Sequence, residues 1–352
     1  MKVPTPSGAD GPGIEQSGSL PVPLEGRPRK LFQSALLEWY RARARPLRIR
    51  STREPWAVLV AEVMAQQTQI SRVDAAWAGF LARFPTPARL AEASTADALR
   101  AWSGLGYNRR ALGLQRAARV IETRHAGRVP DGVAVLEALP GVGPYTSRAV
   151  AALAYGRPVA AVDTNVRRVM TRLLGRDLGP RQLQAVADDL VAREDPGTWT
   201  HASMELGATL CRSRHPACGS CPLSRWCASA GRLEVVVGVT VGEAGVPRGA
   251  TQARWGGVDA QRTRPGGAGP PGRAAADVSA VPFERTSRWL RGRIVARLRD
   301  LEDGAWAQMP ESIGAHGPDR VAVALAALRR DGLLEQRADG SVRLPSTAPA
   351  SG

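Results

Sequence analysis

The only cysteines of this 352-residue chain, Cys211, Cys218, Cys221 and Cys227, follow one another in the spacing C-x6-C-x2-C-x5-C. Thiols packed so closely describe a metal site in a reducing compartment, since a secreted disulfide framework would spread them along the chain. Tetrahedral zinc and a [4Fe–4S] cluster both accept four thiolates, and the spacing does not choose between them. Two carboxylates stand in contrasting company. Glu62 lies in WAVLVAEVMAQQTQ among Val58, Leu59, Val60, Val63 and Met64. It is either on an exposed stripe or buried with a raised pKa, the state of a proton donor near neutrality. Asp163, in AVDTNVRRV, precedes an apolar-periodic helix, where an N-cap carboxylate is common.

These groups need elements to hold them, and LPGVGPYTSRAV shows how the chain makes them. Gly141 and Gly143 permit a tight turn and close approach of the backbone to another surface, and Pro144 suits the first turn of a new helix. The turn should leave the N–H groups of Val142, Gly143 and Tyr145 free at a helix N-terminus, a place that suits a phosphate. Helix, LPGVG hairpin, helix is the helix-hairpin-helix signature, which grips DNA backbone without reading bases. From Leu31 to about Ala230 the pattern is almost continuously helical, with cap signals at Thr86-Pro87, Ser94, Gly127, Gly156, Gly175 and Pro180. The expected architecture is all-α, with roughly ten helices over this region.

The flanks differ in texture. Residues 1–30 read as a disordered arm without a signal peptide, 231–282 as a flexible Gly/Pro/Arg linker, and 346–352 as a disordered tail. Between the last two, residues 283–345 predict two helices, SRWLRGRIVARLRDL and DRVAVALAALRRDGLLEQ, then a short strand SVRLP, which suggests a winged-helix-like module or else a small helical appendage. No run of about 18 apolar residues suggests a membrane span. A formal charge of +16 favours a polyanionic partner, nucleic acid ahead of membrane, although Lys2 and Lys30 are the only lysines and the arginine excess also fits a GC-rich genome.

Taken together, AEVMAQQTQ, WSGLGYNRRA, LPGVGPYT, VDTNVRRV, MELGATLC and the cysteine spacing resemble the helix-hairpin-helix DNA glycosylases, within them the adenine DNA glycosylases of the MutY family, from about Leu31 to Ser229. The resemblance implies a [4Fe–4S] cluster on the four cysteines and two lobes with DNA in the cleft. The six-helix lobe would span about 56–162, and the cluster lobe 31–55 plus 163–230. It implies hydrolytic removal of adenine mispaired with 8-oxoguanine or guanine in double-stranded DNA. The lack of a signal peptide or membrane span separately leads to the expectation of a cytoplasmic, nucleoid-associated protein, taken as a monomer. Glu62 would be the acid, Asp163 the stabiliser of the sugar cation and its transient covalent partner, with Tyr145 and Asn165 positioning them. Tyr145 stands where endonuclease III-type relatives carry a Schiff-base lysine, so a monofunctional enzyme is expected. Gln67 would fill the vacated stack beside Thr68. Leu105, Tyr107 and Arg50 would lie near the opposite guanine, Gly141, Val142 and Gly143 on phosphate, and Glu205 at the adenine amine. Asn108 replaces a family aromatic residue, Thr164 a usual glycine, and neither strands nor the Phe-Ser-His loop of a Nudix-like domain are found. A G:T thymine glycosylase and a non-catalytic iron–sulfur DNA-binding protein are the competing readings.

Overall fold

In a computed structural model the described residues are 27–230 and 282–346. Eleven α-helices occupy the first stretch: α1 Arg27–Arg43, α2 Pro55–Ala65, α3 Ile70–Arg83, α4 Pro87–Glu92, α5 Thr95–Ala101, α6 Arg109–His125, α7 Val133–Glu137, α8 Pro144–Tyr155, α9 Thr164–Leu174, α10 Pro180–Leu190 and α11 Pro196–Thr209. The second stretch holds α12 Ser287–Arg299, α13 Pro318–Arg330 and two-residue strands β1 Glu335–Gln336 and β2 Val342–Arg343, paired antiparallel. No helix among the described residues is long and apolar enough to cross a membrane.

Local chemistry sets the helix ends. Glu54 accepts the N–H groups of Trp56 and Ala57, with Pro55 at the first helical position of α2. Thr86 and Ser94 cap α4 and α5, and Gly156 and Gly175 end α8 and α9 in the left-handed region. Helix α1 begins at Arg27, earlier than the arm expected through residue 30, because Arg29 pairs with Asp189 and Gln33 bonds the Leu190 and Val191 carbonyls. Helix α13 stops at Arg330 rather than running on to Gln336. Gly332 turns left-handed, Leu333 N–H returns to the Leu328 carbonyl, and Glu335–Gln336 then pairs as a strand. The arm over 1–26, the linker over 231–281 and the tail over 347–352 lie outside the described residues.

Two apolar cores organise the molecule. One joins α2 to α8 and includes Trp56, Leu59, Met64, Trp102, Leu114 and Val150. Leu290, Ile294, Val295, Leu298, Leu328 and Val342 of the C-terminal module belong to the same core. The other gathers Phe32 and Leu36 of α1 with Val169, Leu173, Leu183, Trp199, Leu206 and Leu223. Between them, α2, α8, α9 and α11 bring the two carboxylates, the hairpin and the cysteine loop into one neighbourhood.

Candidate active site and DNA-facing surface

Helix α2 is apolar along almost its whole length, so Glu62 goes down with it and is 8% exposed. Burial, with Asp163's charge adding to it, raises its pKa from 4.5 to about 7, although the Tyr145 phenol and the Arg50 charge pull the other way. Its Oε2 is buried with no hydrogen-bond partner. A carboxyl protonated near neutrality with an open polar atom is a proton donor awaiting an acceptor. The Tyr145 phenol, at the start of α8, points to Met204 Sδ at 3.4 Å and neighbours Glu62. Burial and the two carboxylates hold its pKa well above 10, so it stays a neutral donor.

Asp163 is the N-cap of α9. Its Oδ1 accepts Val166 N–H at 2.7 Å and its Oδ2 accepts Asn165 Nδ2 at 2.9 Å. Two N–H donors on two oxygens is the arrangement of a carboxylate anion. Asn165 is itself aimed, because Arg168 donates to its Oδ1 at 2.9 Å, to Gly207 O at 2.7 Å and to Cys211 O at 2.8 Å. The chain Cys211–Arg168–Asn165–Asp163 thus ties the cysteine loop to the carboxylate. Arg168 was not singled out in the sequence, where it is one of two adjacent arginines.

Gly207 on α11 permits this approach. A Cβ there would lie 2.7 Å from Asn165 Cβ and 3.1 Å from its backbone. We expect Gly207→Ala to push α9 away, costing about 1–3 kcal/mol of stability and lowering turnover more than DNA affinity. Thermal melting beside single-turnover rates checks this.

Glu205 departs from its expected role. It has no exposed surface; Arg45 reaches Oε1 at 2.7 Å and Oε2 at 2.8 Å, and Arg50 reaches Oε2 at 2.6 Å. Burial would raise its pKa, yet those bonds and charges outweigh it and bring the value to about 2. A carboxylate so engaged anchors Arg50 instead of presenting itself to a base. Arg50 accordingly sits between Glu205 and the field of Glu62, with its guanidinium 5.6 Å from the Tyr40 ring centroid.

The hairpin keeps part of its expected geometry. Gly141 has φ +81°, and its Cβ position lies 3.4 Å from Gly113 Cα, so a turn and a close approach coincide. Val142 is corrected: its side chain is buried and its N–H is spent on the Leu139 carbonyl at 3.1 Å. Gly143 and Tyr145 N–H make no backbone bond among the described residues, leaving two donors at the start of α8. Gln66 braces the turn, its Nε2 reaching Gly141 O and Thr146 Oγ1 at 3.2 Å each. Neighbouring Gln67 is exposed at φ 56°, a backbone conformation that side chains rarely adopt and that clusters at functional sites.

Tyr107 has φ 45°, between Gly106 and Asn108. Leu105 is only 3% exposed and belongs to the core, so it shapes the loop from inside rather than facing a ligand. Its carbonyl accepts Thr68 Oγ1 at 3.3 Å and Arg110 at 3.1 Å. Arg110 also donates to the carbonyls of Val63, Met64 and Gly106 and to Thr68 Oγ1 at 2.7–3.2 Å. Sequence reading missed this staple; only its position within WSGLGYNRRA hinted at it.

The four cysteines line one cavity with Val169, Leu173, Leu206, Leu210 and Leu223. They do not converge as a single-ion site among the described residues. Burial, and the other thiols, push Cys221 up to about 11 and Cys227 upward. Four thiolates can therefore share this space only with a positively charged partner, and the donor set fits a thiolate-bound iron–sulfur group. Arg172 approaches Cys211 Sγ at 3.4 Å.

Residues 60–193 match the HhH-GPD superfamily of base excision DNA repair proteins. The chain is 49% identical over 216 residues to the adenine DNA glycosylase of Mycobacterium tuberculosis, covering 59% of this chain and 71% of that protein. With the adenine DNA glycosylase of Mycolicibacterium smegmatis it shares 38% identity over 316 residues, 88% of this chain and 94% of that one, enough to take in part of the C-terminal module. A solved thermostable thymine-DNA glycosylase superposes with TM-score 0.55 at 29% identity, covering 58% of this chain and 97% of that structure. With helices, hairpin and carboxylates in this arrangement, the chain belongs to the adenine DNA glycosylase family of the HhH-GPD superfamily.

Proposed function

We propose that this chain is an adenine DNA glycosylase of base excision repair, acting as a monofunctional hydrolase on adenine paired with 8-oxoguanine or guanine. The observation that carries it is the buried Glu62 carboxyl with an unpartnered oxygen, beside Tyr145 and within the field of Asp163. Adenine must leave the stack before its sugar–base bond can be reached. Gln67, exposed on its strained turn, suits the space left behind, with Thr68 and Tyr107 next to it. Glu62 then gives its proton to adenine N7, the C1′–N9 bond breaks, and its electron pair leaves with the base. Asp163, held as an anion by Val166 and Asn165, faces the sugar cation. Water adds at C1′ and yields its proton to Glu62, now a carboxylate. Tyr145 offers no amine, so no Schiff base forms and the strand stays intact.

Cys211, Cys218, Cys221 and Cys227 would hold a [4Fe–4S] cluster, which when bound supplies a cross-link through the loop that reaches Asp163 by way of Arg168. The net charge of +16 supports a role on duplex DNA, and we place the enzyme at the nucleoid in the cytoplasm, as a monomer. Single-turnover assays on duplexes bearing A:8-oxoG, A:G, A:C or T:G test the reading. Adenine release from the first two, without strand breaks until alkali is added, is expected. Thymine release from T:G instead would make it a thymine glycosylase, and no base release would leave a DNA-binding protein.

A further inference from the structure

We propose that the C-terminal module is a working part of the DNA-reading surface, and that it supplies Arg288, laid on the Tyr107 ring, as a contact to backbone phosphate. The inference rests on the DNA glycosylase reading above, and three observations support it.

First, the module grips the Tyr107 loop specifically. Arg299 donates to Asn108 Oδ1 at 2.6 Å, Asp331 stands 3.8 Å from Arg109 and pairs with Arg291, and Arg100 pairs with Asp303 at 2.9 Å. Ala96 N–H bonds the Pro345 carbonyl at 2.8 Å. Asn108 is the N-cap residue of α6, but its side chain makes no cap bond. Its oxygen goes to the module, which gives this departure from the family's aromatic residue a physical use. Arg299 is largely buried with an unpartnered Nε, and burial lowers its pKa. A cation placed there at that expense holds the loop in one position.

Second, Arg288 is built for an external anion. It is exposed, its guanidinium lies 3.9 Å from the Tyr107 ring centroid and 5.7 Å from that of Phe283, and no carboxylate pairs with it among the described residues. Contact with the ring restrains the guanidinium, which makes no hydrogen bond among the described residues, so its N–H groups are available to phosphate oxygens. Arg291, one turn away on α12, is already neutralised by Asp331.

Third, Tyr107 adjoins the surface where DNA is expected. Arg110 lies 5.4 Å from its ring on the loop side and bonds Thr68, the residue after Gln67. Arg288 and Arg110 therefore flank one strained tyrosine beside the Gln67 turn. Helix α12 carries no acidic residue, and with Arg291 paired and Arg299 turned to Asn108 it still presents Arg288, Arg293 and Arg297. That composition favours a phosphate backbone over a neutral protein surface.

The test uses the full chain and a plain duplex with no mispair, with affinity measured against NaCl concentration. Arg288→Ala should lower the slope of log affinity on log salt by about 0.9, the signature of one lost phosphate contact, while Arg288→Lys keeps it. A purely structural role would leave the slope alone, so an unchanged slope in Arg288→Ala overturns the proposal, as does loss of slope in Arg288→Lys. Arg299→Gln, which frees the loop from the module, should also weaken the duplex contact. Unchanged affinity there would overturn the clamping half. Because the duplex holds no mispair, an enzyme that released thymine rather than adenine would leave these outcomes intact. Wild-type protein that bound no duplex at all would instead sink the glycosylase reading itself.

Discussion

Glu62→Gln is expected to slow adenine release by about 10³-fold, within the range for losing a positioned general acid, while duplex affinity changes little. The amide keeps the shape of the side chain and removes its proton. In the wild type the rate should hold below pH 7 and fall tenfold per unit above it, because Glu62, with its pKa raised from 4.5 to about 7, must be protonated to act. Stability follows the same sign. The folded state holds that proton more tightly than the unfolded chain does, so its contribution is complete below pH 4.5 and lost as pH rises through 7. The loss by pH 8 is on the order of 3 kcal/mol. Glu62→Gln removes this dependence, so its melting temperature should change less than that of the wild type between pH 5 and 8. A single-turnover pH profile with parallel melts checks both. A flat rate profile in the wild type would remove Glu62 from the acid role.

Asp163→Asn is expected to cost at least as much, roughly 10³-fold or more, since a preorganised charge facing a developing cation is usually the largest single contribution. Asp163 also caps α9, so the variant mixes two losses: Nδ2 would face the N–H donors of Val166 or Asn165. Asp163→Ser separates them, because serine caps a helix well but carries no charge. Both variants should be equally impaired in single-turnover excision. Asp163→Ser should melt within about 1 kcal/mol of the wild type, while Asp163→Asn melts lower. Recovery of activity by Asp163→Ser would mean that the cap, not the charge, matters.

Most helix boundaries were legible in the sequence because their causes are local. Pro87 and Pro144 open helices, Thr86, Ser94 and Asp163 cap them, and Gly156 and Gly175 close them within a few residues. Glu62 and Asp163 stood out only through the family resemblance, since a lone glutamate on a helix is as readily on an exposed stripe and an aspartate before a helix is a common N-cap. What escaped was long-range. Glu205 meets Arg45 and Arg50 across 155–160 residues, and Arg299 meets Asn108 across 191. No local pattern announces such pairs. Leu105 and Val142 show the opposite failure. The family resemblance put Leu105 near the opposite guanine and the reading of the hairpin left the Val142 N–H free, whereas both side chains go to the core and that N–H is spent on Leu139.

The Arg110 staple has a mechanical corollary. One guanidinium holds the last carbonyls of the helix that bears Glu62, the hydroxyl after Gln67 and the peptide just before Tyr107. It cannot follow one of these without dragging the others. A shift of the peptide before Tyr107 is therefore passed to the end of the helix that carries Glu62, and the two move as one piece.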